Sequence, residues 1–100
     1  MLFTKQKRLD IYHSAILKWG KKSQLEMMQE EATELALAAR KFTRYPIGKN
    51  LMQLAEEIAD VEIMIEQVKI MEADIINEIE VVKDYKLGRL MDRIAANKFN

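Results

Sequence analysis

The sequence predicts an all-α protein, in which a four-helix antiparallel bundle-like subunit oligomerises. Apolar residues recur every three or four positions along most of the chain, which is the period of amphipathic helices. The single proline and two of the three glycines interrupt this pattern between the predicted helices. The 100 residues form one domain, 1–100, whose modest core would be enlarged by self-association.

The first two helices are predicted from their apolar stripes and their terminal residues. The first helix runs from about Thr4 to Lys18 and ends at Gly20, since glycine is common just after a helix. The second begins at Ser23, where Ser23-x-x-Glu26 has the form of a capping box, and continues to about Thr43. The stripe of the first helix consists of Leu9, Tyr12, Ile16 and Trp19.

The third helix fills roughly residues 51–71 and follows a short turn. In that turn Pro46 and Gly48 stop the second helix and Asn50 can cap the third. Because the turn is so short, the second and third helices are expected to form an antiparallel hairpin.

The fourth helix follows a break near residues 72–77. Either Asp74, or Asn77 with Glu80 three positions later, could cap it, and it is expected to reach about Asn97.

The second and third helices each contain an acidic cluster of the same form. Side chains three positions apart share a helical face, so Glu31 pairs with Glu34, and Glu57 pairs with Asp60. The two pairs lie at equal distances from the turn in the chain, so an antiparallel hairpin brings them nearly level. We therefore expect four carboxylates to converge.

Apolar stripes predict where the two helices of the hairpin meet. Each acidic residue immediately precedes a stripe residue, so the four carboxylates are expected to flank the helix–helix seam on one side. The predicted stripes are Leu25, Met28, Ala32, Leu35, Ala39 and Phe42 on the second helix, and Leu51, Leu54, Ile58, Val61, Ile65 and Val68 on the third.

Four adjacent carboxylates indicate a divalent-metal site. Without neutralisation they would repel one another and be driven toward protonation. An all-oxygen site without sulfur or imidazole suits Mg²⁺ first and Mn²⁺ second. The alternative is a solvated acidic face bonded to arginine or lysine.

Both acidic clusters belong to a longer sequence pattern. It reads Glu30-Glu31-x-x-Glu34-Leu35 followed by Glu57-x-x-Asp60, with Trp19-Gly20, Gln24, Leu35-x-x-Ala38-x-x-Lys41 and Leu54-Ala55-Glu56-Glu57-Ile58-Ala59-Asp60-Val61 around it. Over about residues 12–94 it resembles the paired motif of the MazG-like all-α nucleoside triphosphate pyrophosphohydrolases. The resemblance implies Mg²⁺-dependent hydrolysis of a (deoxy)nucleoside triphosphate to monophosphate and pyrophosphate, as house-cleaning of the nucleotide pool.

The resemblance also implies roles for individual residues. The carboxylates of Glu31, Glu34, Glu57 and Asp60 would act as one unit that holds Mg²⁺. The resemblance does not decide which of them acts as base, and Glu31 or Glu34 is our candidate to take the proton of the attacking water. Other side chains are candidates for the substrate. Trp19 would stack on the base, although its place in the apolar stripe favours core packing. The phosphates would be held by Lys41, Lys86 and Arg89.

The sequence leaves several questions open. They are the favoured base and sugar, the number of metal ions, the choice between dimer and tetramer, the host and the pathway.

Two non-enzymatic alternatives share this fold. One is a helical interaction module with an acidic surface for a basic partner, and the other is a nucleotide-binding scaffold that acts as a sensor.

Composition excludes several other classes. With no cysteine and only His13, neither a Cys-His nucleophile nor the two Glu-x-x-His motifs of a di-iron bundle can be formed. There is no extended basic face for nucleic acid and no apolar run of about 20 residues for a membrane. The first residues lack the apolar run of a secretory signal, so a cytoplasmic protein is expected.

Overall fold

The computed structural model of the protein describes residues 2–96, and within them it contains four α-helices and no strand. The all-α prediction is confirmed. In that range no helix combines the length and the apolar character needed to cross a bilayer. The predicted end of the fourth helix near Asn97 lies outside the described residues. The helices are α1 (Lys5–Trp19), α2 (Lys21–Arg44), α3 (Gly48–Met71) and α4 (Ile75–Ala95).

A single glycine joins α1 to α2. Thr4 caps the start of α1, as its hydroxyl accepts a hydrogen bond from the backbone N–H of Lys7 at 3.1 Å. At the other end, Gly20 has a backbone φ angle of 88°, which residues with a side chain rarely adopt. Its N–H donates to the carbonyl of Ile16, and its own carbonyl accepts from the N–H of Gln24. Gly20 therefore ends α1 and begins α2, and the predicted capping box at Ser23 is wrong because Ser23 already lies inside the helix.

Three residues, 45–47, connect α2 to α3 and make the two helices an antiparallel hairpin. The prediction that Asn50 caps α3 is wrong, because the cap position is held by Ile47. Instead Asn50 is buried, and its side-chain amide donates to the carbonyl of Tyr45 at 2.8 Å. This bond fastens the first turn of α3 to the loop. Gly48 is the first residue of α3 and does not end α2.

The break between α3 and α4 is also short and covers residues 72–74. Asp74 occupies the cap position of α4 without a side-chain hydrogen bond to the helix, and Asn77 lies within α4. Of the two predicted caps, the position of Asp74 agrees with the structure.

The core is centred on the α2–α3 hairpin. These two helices pack along most of their length, α1 contacts both over a smaller area, and α4 makes at most marginal contact with any of them. The seam residues step alternately by three and four. The buried and half-buried positions along the seam are Gln24, Met28, Glu31, Leu35, Ala38 and Phe42 on α2, and Asn50, Leu54, Glu57, Val61, Met64, Val68 and Met71 on α3.

The predicted stripes are therefore half wrong. On α3, Leu54, Val61 and Val68 lie at the seam, but Leu51, Ile58 and Ile65 are exposed; on α2, Leu25, Ala32 and Ala39 are likewise exposed. Their places are taken by residues one position earlier in the chain. Four of these six replacements are polar, namely Gln24, Glu31, Asn50 and Glu57, and a pattern built only from apolar residues leaves such positions out.

One such polar pair lies deep between α2 and α3. The buried Gln24 donates its amide N–H to the buried Gln67 at 2.6 Å, and the Gln67 amide faces the sulfur of Met64 at 3.7 Å. A second polar contact fastens α1 to α3, since the hydroxyl of Tyr12 donates to the carboxylate of Glu66 at 2.8 Å.

Replacing Gln67 by leucine should lower the free energy of unfolding by about 1–3 kcal/mol, because the amide of Gln24 would stay buried without its acceptor. Chemical denaturation measures the difference, and Gln53→Leu, at an exposed position of α3, is the matched control. The double variant Gln24→Leu/Gln67→Leu should recover most of the loss. Equal stability of Gln67→Leu and wild type would contradict the role of the pair.

Candidate metal centre

Three carboxylates meet where the middles of α2 and α3 face each other. Ligand oxygens of Glu31, Glu57 and Asp60 all lie within 4.8 Å of one another. Glu31 and Glu57 are half-buried in the seam, and Asp60 is exposed beside it. We call these three residues the acidic trio. Its members come from both arms of the hairpin, one from α2 and two from α3.

Hairpin geometry brings the trio together. The turn at 45–47 sets the register of the two helices. Glu31 lies 15 residues before Pro46 and Asp60 lies 14 residues after it, so these two are level, and Glu57 lies about one helical turn closer to the loop. The expectation that all four acidic residues flank the seam is wrong for Glu31 and Glu57, because both occupy seam positions. The seam lies one residue earlier along each helix than the predicted stripe, and this shift places the two carboxylates in it.

Glu34 is the predicted ligand that does not join the trio. It is exposed and lies outside the group of oxygens within 4.8 Å. Its negative charge nevertheless acts on the trio, since it contributes to the raised pKa values of both Glu31 and Glu57. Glu34 therefore lies near the trio and at its edge.

Burial and mutual repulsion make the trio unfavourable as three bare anions. The pKa of Glu31 is raised by partial desolvation, then by the negative charges of Asp60 and Glu57 and by a hydrogen bond with Asp60. The pKa of Glu57 is raised by desolvation and then by the charges of Asp60, Glu34 and Glu56. A proton or a cation at this place would relieve the repulsion.

No basic side chain neutralises the trio within residues 2–96. The two ion pairs found there, Lys21–Glu72 at 3.9 Å and Lys83–Glu80 at 3.6 Å, are exposed and involve none of its members. The alternative of an acidic face bonded to arginine or lysine therefore has no ion pair at this site to support it.

The donor set fits Mg²⁺ or Mn²⁺. All three groups offer carboxylate oxygen, which these hard cations prefer, and neither imidazole nor sulfur belongs to the group. Opposite ligands of Mg²⁺ stand about 4.2 Å apart, given bonds of about 2.1 Å. Adjacent ligands stand about 3 Å apart and at most one pair among three ligands is opposite, so oxygens that lie within 4.8 Å of one another would draw closer together to share one ion.

The predicted substrate-binding residues lie on exposed surfaces. Trp19, at the end of α1, is 58% exposed, so the core packing favoured by its place in the stripe is wrong, and base stacking stays a prediction. The ammonium group of Lys18 lies 5.3 Å from the centre of its ring. Lys41 is exposed on α2, and Lys86 and Arg89 are exposed on α4. Among the described residues none of these three cations forms an ion pair with the trio.

The structure contains a cavity between α1 and α3 that the sequence analysis did not predict. Its volume is about 460 Å³, and Arg8, Tyr12, Glu62 and Glu66 contribute polar groups to an otherwise mainly apolar lining. Burial and the hydrogen bond to Glu66 raise the pKa of Tyr12. Ala59, which directly precedes Asp60 in the chain, also lines the cavity. The signal in the sequence was Glu62 and Glu66, one turn apart on a single face of α3.

Comparison with known proteins finds no match to this chain among protein-family models, among curated proteins or among solved structures.

Proposed function

We propose that the protein is a Mg²⁺-dependent nucleoside triphosphate pyrophosphohydrolase that converts (deoxy)nucleoside triphosphates to monophosphates and pyrophosphate, and so clears non-standard or surplus nucleotides. The observation that supports this proposal most is the convergence of Glu31, Glu57 and Asp60 without a basic partner. The motif resemblance to the MazG-like enzymes supplies the reaction class.

The acidic trio is the proposed metal site. Its three carboxylates would hold Mg²⁺, with Mn²⁺ as a substitute, and Glu34 would add negative charge at the edge. When bound, the cation would neutralise phosphate oxygens and lower the pKa of a coordinated water. Of the two residues assigned as general base, Glu34 is the better placed, because Glu31 belongs to the trio and its carboxylate would be occupied by the cation.

The cavity between α1 and α3 is the proposed position of the base. Its lining includes Ala59, the neighbour of Asp60 in the chain, and a mainly apolar lining with a few polar groups is typical of small-molecule sites. Trp19 would add a stacking surface, and Lys41, Lys86 and Arg89 would contact phosphates. The proposed enzyme is cytoplasmic, acts on free nucleotides and not on nucleic acid or at membranes, and works as a homodimer or homotetramer.

A panel of nucleoside triphosphates tests the reaction directly. Purified protein is incubated with each triphosphate and Mg²⁺ or Mn²⁺, and pyrophosphate is measured separately from orthophosphate. At least one triphosphate should release pyrophosphate only when the metal is present. Release of orthophosphate alone would contradict the cleavage between the α and β phosphorus, and absence of any turnover would contradict the enzyme assignment.

A non-catalytic helical interaction module is the second candidate, favoured by the many exposed apolar side chains, among them Leu87 and Met91. Such a module would show no Mg²⁺-dependent thermal stabilisation. A nucleotide-sensing scaffold would show that stabilisation and bind nucleotide, but would release no pyrophosphate.

A further inference from the structure

The cavity between α1 and α3 lies between two stripes of side chains, one on each helix. Residues three or four positions apart share a helical face, and the lining residues of both helices have this spacing. Those on α1 are Arg8, Ile11, Tyr12 and Ala15, and those on α3 are Ala59, Glu62, Ile63, Glu66 and Gln67. The small side chains of the two alanines leave room between the helices. The volume of about 460 Å³ is in the range of small-molecule pockets.

Three polar side chains of the lining are already bonded within the protein. The hydroxyl of Tyr12 donates its single proton to Oε2 of Glu66 at 2.8 Å. The pKa of Tyr12 is raised by burial and by this contact, so the proton stays on the hydroxyl at neutral pH. Gln67 accepts a hydrogen bond from Gln24, and its own amide N–H faces the sulfur of Met64. Tyr12 and Gln67 therefore have no free donor for a ligand.

Glu62 and Arg8 are the lining groups that stay available to a ligand. Within residues 2–96 the carboxylate of Glu62 accepts no hydrogen bond, and neither residue forms an ion pair. Both side chains are exposed, so a ligand can reach them. The ring of Phe3, which is 54% exposed, also lines the cavity. A ligand thus meets two acceptor oxygens on α3, a guanidinium donor on α1 and an aromatic ring.

Among the nucleic-acid bases, guanine matches these groups best. Its N2 amino group and its N1–H are adjacent donors, and a carboxylate can accept two such bonds side by side. Its O6 and N7 are acceptors, and their pairing with arginine is the commonest specific contact to this base. Adenine and cytosine have a single amino group beside an acceptor nitrogen, and uracil and thymine have one N–H between two carbonyl groups. A carboxylate facing those edges would be repelled by the acceptors.

We propose that the cavity between α1 and α3 selects guanine, and that guanosine and deoxyguanosine triphosphates are the substrates. The carboxylate of Glu62 accepts hydrogen bonds from N1–H and N2–H of the base, the guanidinium of Arg8 donates to O6 and N7, and the ring of Phe3 stacks on the base. The assignment of substrates rests on the proposed function, whereas the recognition of the base can be measured without turnover.

Calorimetric titration of uncleavable nucleotides in the presence of Mg²⁺ tests this recognition. The nucleotides are guanosine, inosine and adenosine triphosphates in which a methylene group replaces the oxygen between the α and β phosphorus. Inosine differs from guanosine only in lacking the N2 amino group. Its analogue should bind at least about tenfold more weakly, because a hydrogen bond to a charged group is lost. Equal dissociation constants for these two analogues, or no binding of the guanosine analogue, would overturn the proposal.

The variant Glu62→Gln tests the role of the carboxylate and should change the preference. A glutamine amide has one donor and one acceptor, which adenine matches and guanine does not. The variant should bind the guanosine analogue at least about tenfold more weakly and the adenosine analogue at least as well as wild type. Glu56→Gln, at an exposed position of α3 outside the cavity lining, is the matched control and should keep the wild-type preference. An unchanged preference in Glu62→Gln, or equal weakening of all three analogues, would overturn the proposal.

Failure of this inference and failure of the proposed hydrolysis give different results. Pyrophosphate release at similar rates from all triphosphates would overturn the selection of guanine and agree with the proposed reaction. Selective binding of the guanosine analogue, without pyrophosphate release from any triphosphate, would support the selection of guanine and contradict the enzyme assignment.

Discussion

Replacing Glu57 by glutamine, or Asp60 by asparagine, is expected to lower the rate of pyrophosphate release about 100-fold or more while the helical content stays unchanged. Each change keeps the shape of the side chain and removes one anionic oxygen from the trio. The loss expected is that of a ligand to the cation that would stabilise negative charge developing on the phosphate oxygens. Steady-state release of pyrophosphate measures it, and circular dichroism monitors the fold.

Glu56→Gln is the matched control for this prediction. Glu56 is adjacent to Glu57 in the chain and exposed, and it is not a member of the trio. Its removal should leave pyrophosphate release within about twofold of wild type, as is usual for an exposed surface position. Full activity in both Glu57→Gln and Asp60→Asn would contradict the assignment of the trio as the metal site.

Mg²⁺ should raise the melting temperature of the wild-type protein by on the order of 10 °C. A ligand at 100 times its dissociation constant adds about 2.7 kcal/mol to the stability of the folded state, and each kcal/mol shifts the melting temperature of a domain of this size by about 4–8 °C. The triple variant Glu31→Gln/Glu57→Gln/Asp60→Asn should show no such shift. Differential scanning calorimetry with and without Mg²⁺ gives both values.

The same stabilisation should depend on pH in a defined direction. The pKa values of Glu31 and Glu57 are raised above their ordinary value of 4.5 in the folded protein. In the metal-free protein their contribution to stability is therefore fully present below that value and is lost as the pH rises through the raised pKa values. At the proposed metal site protons would compete with Mg²⁺ for the same oxygens, so the shift caused by Mg²⁺ should be larger at about pH 8 than at about pH 5.

Glu31→Gln separates the two effects. It should raise the melting temperature of the metal-free protein at neutral pH, because it removes one of three mutually repelling charges. It should also reduce the stabilisation by Mg²⁺. A shift that is the same at both pH values, or larger at the lower one, would contradict the competition between protons and cation.

Local signals predicted the helices well, because the residues that begin and end them act within a few positions. Thr4 caps α1 through its own hydroxyl, and Gly20 adopts a φ that other residues avoid. The errors at Ser23 and Asn50 have one cause. Each has a side chain that can cap a helix, but the helix had already begun two residues earlier.

Long-range packing was predicted less well, because it depends on partners far apart in the chain. Gln24 becomes a core residue only through Gln67, 43 positions away, and Tyr12 meets Glu66 across 54 positions. The seam that passes through Gln24 includes Glu31 seven positions later. The convergence of acidic residues across the hairpin was foreseen from spacing alone, while the exclusion of Glu34 from the trio required the orientation of each helix.

Isothermal titration calorimetry of Mn²⁺ and Mg²⁺ into the nucleotide-free protein measures whether Glu31, Glu57 and Asp60 together bind a divalent cation. We expect saturable uptake by the wild-type chain and only heat of dilution with the triple variant Glu31→Gln/Glu57→Gln/Asp60→Asn. No uptake by the wild-type chain, or equal uptake by the triple variant, would contradict binding at these three residues.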